Sequence, residues 1–114
     1  MPIGRFLALL LLLTACGGGG ADAPEGCADP VAATTVELAD FAFRPDCLSA
    51  DAGATITLDN TGDAPHTFTV TSTDVDFDVD AGTSVDASLS GVDPGTYAVT
   101  CTYHPQMEAT LTVG

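Results

Sequence analysis

Cys101-Thr102-Tyr103-His104-Pro105-Gln106-Met107 sets a thiol, an imidazole and a thioether at intervals of three residues. A second imidazole stands far upstream, in Ala64-Pro65-His66-Thr67-Phe68. Two imidazoles, one thiolate and a weakly held thioether are the donor set of a type 1, or blue, copper centre, which passes single electrons. The chain holds two histidines and two methionines, one of them Met1, so every histidine and every internal methionine falls inside this constellation. Soft sulfur donors suit Cu(I), and imidazole suits both oxidation states. A protein that fixes this compromise lets an electron arrive with little movement. Structural zinc sites are the main competitor for Cys and His, but they use four Cys or His ligands and usually lack Met. The plain alternative for Cys101 alone is a small buried core thiol.

The elements that must position these groups read as strands. Val, Thr, Phe and Ile dominate, Gly, Asp, Asn and Pro punctuate, and helical periodicity is hard to find. Short strands at regular spacing with turn signals predict an all-β sandwich. The alternation predicts strands over 35–41, 54–60, 66–70, 75–80, 84–89, 96–101 and 108–113, with a corner at Arg44-Pro45-Asp46 near Phe43 and Leu48. His66 then opens one strand and Cys101 closes another, while Pro105 stiffens the loop that returns His104 and Met107. Asp74, Asp76, Asp78 and Asp80 invite a calcium reading. Period two instead puts all four on one solvated strand face, with Val75, Phe77 and Val79 on the other. A calcium loop needs a turn that wraps oxygens around the ion.

The start of the chain carries a different message. Met1 to Arg5 is a short positive region, Phe6 to Leu13 an apolar run, and Thr14-Ala15 supplies small residues. That pattern is a secretory signal over residues 1–15. Leu13-Thr14-Ala15-Cys16 resembles a bacterial lipobox, which implies cleavage before Cys16 and a lipid on its thiol. Such an anchor attaches to one leaflet without spanning it. An ordinary signal that happens to contain a Cys is the alternative. Residues 16–33 read as the lipidated Cys16 and a flexible Gly-rich tether that starts with Gly17 to Gly20, and residues 34–114 as the folded domain. Export implies an oxidising compartment, in which Cys27 and Cys47 can pair, although sequence does not fix connectivity. Cys101 is left over, and a metal gives it a purpose.

The formal charge is −14, from two basic and sixteen acidic residues. Loss of a leader containing Arg5 leaves Arg44 as the only basic residue against the same acids. Nucleic acid is excluded as a partner, because phosphate contacts need Lys or Arg. Charge-driven adhesion to anionic lipid is excluded likewise, so any membrane attachment falls to the lipid. A strongly negative surface steers basic partners, and it also simply serves solubility. A domain of this size has a small core, which a disulfide and a metal would help hold.

From about Thr34 to Gly114 the chain resembles the cupredoxins, on Asn60 through Pro65-His66 and on Cys101-x-x-His104-x-x-Met107. The short ligand loop looks most like that of amicyanin and related bacterial cupredoxins. The resemblance implies a Greek-key β-sandwich of about seven to eight strands with one type 1 copper at its end. It implies His66, Cys101, His104 and Met107 as ligands. It also implies that His104 passes the electron at its solvent edge, through a patch including Pro65 and Pro105. Many cupredoxins carry Asn directly after the first His, where it ties the two ligand loops together. Here the position is Thr67, whose hydroxyl can do part of that work.

The expectation is therefore an exported, lipid-anchored carrier of single electrons, on the periplasmic side or the outer face of the cytoplasmic membrane. It is expected to be a monomer working with a redox protein such as a basic cytochrome or oxidase. The alternatives are delivery of copper to an exported oxidase, or a metal-free sandwich used as a binding module. Enzyme activity is not expected. A four-ligand copper leaves no open position for substrate, and with both histidines used no nucleophile–base pair remains.

Overall fold

The computed structural model describes residues 27–114. The expected leader, the lipobox Cys16 and the first part of the tether lie outside the described residues. Ten strands occur among those described: β1 (Val31–Ala32), β2 (Thr35–Ala39), β3 (Ala42–Arg44), β4 (Cys47–Ala50), β5 (Thr55–Asn60), β6 (His66–Val70), β7 (Asp76–Val79), β8 (Ser84–Ser88), β9 (Gly95–Thr100) and β10 (Glu108–Val113). They form a six-stranded sheet in the order β1-β4-β10-β9-β6-β7 and a four-stranded sheet in the order β3-β2-β5-β8. The all-β Greek-key sandwich is as expected. The count of seven to eight is corrected to ten, because short strands carry too few residues to show alternation. β3 and β4 flank Pro45 where a corner was expected, and Cys-Leu-Ser-Ala in β4 has no β-branched residue to announce it.

The alternation that predicts the longer strands also builds the core. In β5 Ile56, Leu58 and Asn60 are buried while Thr55, Thr57 and Asp59 are not, and β10 repeats the pattern with Ala109, Leu111 and Val113. Phe43 of one sheet meets Phe68 of the other edge-on, with ring centroids 6.0 Å apart. Edge-to-face rings add attraction to the area they bury. β7 forms one edge of the large sheet, and Asp74, Asp76, Asp78 and Asp80 are all exposed along it while Val75 and Val79 are buried. Arg44 faces Glu37 across the β2–β3 pair at 3.6 Å. Both side chains are well exposed, so this ion pair adds little.

The domain reaches back beyond Thr34. β1 adds in parallel to β4, with Val31 opposite Leu48. Cys27 is disulfide-bonded to Cys47 across a Cα–Cα distance of 5.9 Å. The bond closes a chain separation of 20 residues, for which loop-closure entropy predicts about 3 kcal/mol of stabilisation.

One parallel and two antiparallel pairings decide which loops share an end. β2 runs parallel to β5, with Leu38 opposite Asn60, so the turn after β2 and the loop after β5 leave the sandwich together. β9 runs antiparallel to both β6 and β10, which brings the start of β6 and the β9–β10 loop to that same end. Replacing Phe68, fully buried between the sheets, by Ala should lower stability by about 3–5 kcal/mol. Urea unfolding of the metal-free protein checks this, with a shifted midpoint and an unchanged slope.

Candidate metal centre

The residues singled out by spacing meet at this end. His66 opens β6, and Cys101 follows the last residue of β9 rather than lying in the strand. The β6–β9 register pairs Thr69 with Thr100 and Val70 with Val99. Continued one step at a time, it carries His66 alongside the residues just past Cys101. His66 is 0% exposed, and its Nδ1 lies 3.9 Å from Cys101 Sγ. The Thr67 amide donates to the same sulfur at 3.4 Å. Cys101 is a free, buried cysteine, unlike Cys27 and Cys47.

The loop after Cys101 is short because it is a turn. The Met107 amide donates to the His104 carbonyl at 2.9 Å, and Pro105 takes the second turn position that its fixed φ favours. The Cys101 amide donates to the Met107 carbonyl at 3.3 Å, closing the loop at its base. Met107 is thereby buried at the top of the core. The His104 ring lies 5.2 Å from that of His66, centroid to centroid. Its Nε2 is buried without a hydrogen-bond partner, a costly state for a polar atom. Among the described residues, no three His, Cys, Asp or Glu side chains form a closed metal-holding cluster. His66 and Cys101 touch, His104 stands beside His66, and Met107 joins them through the backbone.

The polar framework explains how these loops hold position. Asn60, buried at the end of β5, accepts from the Gly62 amide and donates to the carbonyls of Ala64 and Val79, each at 2.9 Å. This fixes the approach to Pro65-His66. Thr67 does the linking expected of its hydroxyl, since Oγ1 accepts from the Thr102 amide at 2.8 Å and so joins the two ligand loops.

Two neighbours escaped the sequence reading. Asp40 and Phe41 fall in the β2–β3 turn, not in the first strand. The His66 Nε2–H donates to Asp40 Oδ1 at 2.8 Å. Asp40 also accepts from the amides of Asp63 at 2.8 Å and Ala64 at 3.3 Å. The Asp63 amide, ahead of the His66 ring, holds the Asp40 carboxyl below its ordinary range, against an opposing push from partial burial. Phe41 is 49% exposed and packs on the His104 ring with centroids 4.6 Å apart. His104 is only half-buried as a residue, but its Nε2 is not open to solvent. Pro65, next to His66 in the chain, and Tyr103 and Pro105, on either side of His104, are exposed. Asp40 gave no sequence signal beyond a strand-end Asp, because its partners lie 23 to 26 residues away.

The donor set fits copper on three observations. His66 has Nε2 engaged and Nδ1 turned toward sulfur, the thiol is buried beside it, and a second imidazole carries an unsatisfied buried nitrogen. A family model for the cupredoxin-like domain matches residues 5–113. No curated protein matches the chain. Among solved structures, a purple cupredoxin from Nitrosopumilus maritimus is 17% identical with a TM-score of 0.59, over 71% of this chain and 99% of that one. A mutant fern plastocyanin is 24% identical with a TM-score of 0.59, over 70% and 99%. An amicyanin mutant in its reduced Cu(I) form is 21% identical with a TM-score of 0.59, over 75% and 92%. A copper-containing nitrite reductase from Thermus scotoductus is 19% identical with a TM-score of 0.56, and the match spans 82% of this chain but 25% of that one. At these identities the likeness shows the fold.

Asn60→Ala strips two carbonyls, one of them buried, and a loop amide of their partners and should cost about 1–3 kcal/mol. Thr67→Val keeps the shape, removes the hydroxyl's bonds to the Thr102 amide and to the Thr69 and Thr102 hydroxyls, all part-buried, and should cost about 1 kcal/mol. Urea unfolding of the metal-free variants reads both, and the Asn60 variant should be the less stable.

Proposed function

The chain belongs to the cupredoxin-like domain family, and we propose that it is a type 1 copper protein that carries single electrons between redox partners. The ligands in this reading are His66, Cys101, His104 and Met107. The observation that carries it is the buried approach of His66 Nδ1 to Cys101 Sγ at 3.9 Å, in a chain whose remaining His and internal Met sit in the adjoining loop. When bound, copper supplies a one-electron couple between Cu(I) and Cu(II).

The chain's own residues supply the rest. Asn60 and Thr67 hold the two loops together, so the donors keep their places whichever charge state they face. The Thr67 amide donates to the sulfur and tempers its negative charge. Phe41 packs on His104, Tyr103 and Pro105 adjoin it in the chain, and their exposed surface is where a partner can exclude water. The acidic surface favours a basic redox partner, such as a cytochrome or oxidase. In this reading the domain acts as a carrier and not as an enzyme, since both histidines serve the metal. The likeness to a nitrite reductase extends over only 25% of that chain. Anchoring through a lipid on Cys16, with display outside the cytoplasm of a bacterium, is supported by the residue pattern of positions 1–16 alone.

Copper titration tests the reading. One equivalent of Cu(II) should give an intense band toward the red end of the visible, and Cys101→Ser should abolish it. A colourless wild-type complex overturns the type 1 assignment. Met107→Ala should retain copper with an altered spectrum and potential, because a thioether would be the weakest donor of the four. Slow loss of Cu(I) to a chelator supports the carrier, whereas rapid exchange supports copper delivery instead.

A further inference from the structure

Asp40 makes more polar contacts with the site than a turn residue needs. Its Oδ2 accepts from the Asp63 amide, and its Oδ1 accepts from the Ala64 amide and from His66 Nε2–H. The carboxylate thus joins the β2–β3 turn, the loop that precedes β6, and the imidazole itself. The space it occupies is reserved. A Cβ at Gly62 would fall on the Asp40 carboxylate, with the carboxyl carbon only 2.6 Å away. The loop passes close enough to cradle the acid only because position 62 has no side chain.

We propose that Asp40 is a positioning residue for the metal centre, holding the proton of the His66 ring at Nε2 so that Nδ1 is presented toward Cys101, and making that ring a stronger donor to Cu(II) than to Cu(I). The inference rests on the copper reading above and adds a determinant of potential to it. A carboxylate only accepts hydrogen bonds. A neutral imidazole facing it therefore carries its hydrogen on the facing nitrogen, which leaves the lone pair on the other. Such partners orient a ligating ring and raise its basicity. The negative charge also lies behind the ring, where it favours the more highly charged ion. Removing it should weaken Cu(II) binding more than Cu(I) binding, which raises the reduction potential.

The test compares wild type with Asp40→Asn and Asp40→Glu. Asn has one acceptor oxygen for three N–H donors, and its amide hydrogens face one of them. Glu keeps the charge on a longer stem. Cu(II) and Cu(I) affinities are measured by chelator competition and the potential by redox titration. The His66 tautomer is read from ring nitrogen chemical shifts in the metal-free protein. Asp40→Asn should lose about 10–100-fold in Cu(II) affinity, less in Cu(I) affinity, and its potential should rise. Its His66 ring should no longer be fixed as the Nε2–H form. Asp40→Glu should recover part of the affinity ratio, and it carries the test if the Asn variant does not fold. A merely structural Asp40 would lower the melting temperature while leaving the Cu(II)/Cu(I) affinity ratio and the tautomer unchanged, and that result overturns the proposal. A wild-type protein that forms no coloured copper complex sinks the copper reading instead. The tautomer measurement on the metal-free variants then decides Asp40's hold on His66 by itself.

Discussion

His66 opens β6 and Cys101 directly follows β9, strands that run in opposite directions, and the register between them is the constraint on which the site depends. Thr69 pairs with Thr100 and Val70 with Val99. Along β6 this register turns His66, Phe68 and Val70 toward the interior, and it leaves Thr67 on the opposite face beside Thr102. A slip of one residue would exchange the two faces. Phe68 would leave the core, and the imidazole would leave the sulfur. The same packing that makes the sandwich stable therefore holds the thiol against the ring. The geometry needs no separate device to define it, because the alternative register would expose the largest side chain in β6.

Around that register the polar groups of the site are paired almost completely. Asn60 makes three hydrogen bonds, Thr67 bridges the ligand loops, and Asp40 serves two amides and one ring nitrogen. Such networks rigidify a site when every member is satisfied. The one buried side-chain nitrogen or oxygen without a partner among the described residues is His104 Nε2, on the ring that Phe41 partly covers. The framework and the donors are thus distinguishable by their bonding. The framework is internally complete, and the exception sits on a donor.

The sandwich was legible because its long strands alternate cleanly. Ile56 and Leu58 in β5, and Leu111 and Val113 in β10, show their inward face by period two alone. The donor residues were legible for a different reason, since rare residue types fell at short spacing in one loop. Residues 31–32 and 42–44 gave no comparable signal, because two or three residues cannot display a period. Asp40 and Phe41 were invisible for a third reason. Their importance lies in contacts with His66 and His104, made by the parallel β2–β5 pairing, and no local pattern encodes a neighbour brought in from the other sheet. The Thr67 hydroxyl sits between these cases. Its position beside the first His was visible, and its bond to the Thr102 amide required the fold.

The outermost strand of the large sheet has a colloidal consequence. Among the described residues no strand pairs on the outer side of β7, and an open edge of this kind invites another chain to zip onto it. Asp76 and Asp78, with Asp74 and Asp80 just beyond the ends, would have to stack against their own copies in such a ladder. Mutual avoidance is thereby written into the rim of the sheet. It fades as added salt shortens the screening distance to about 3 Å near 1 M, so crowding in strong brine is the condition under which the rim loses its guard.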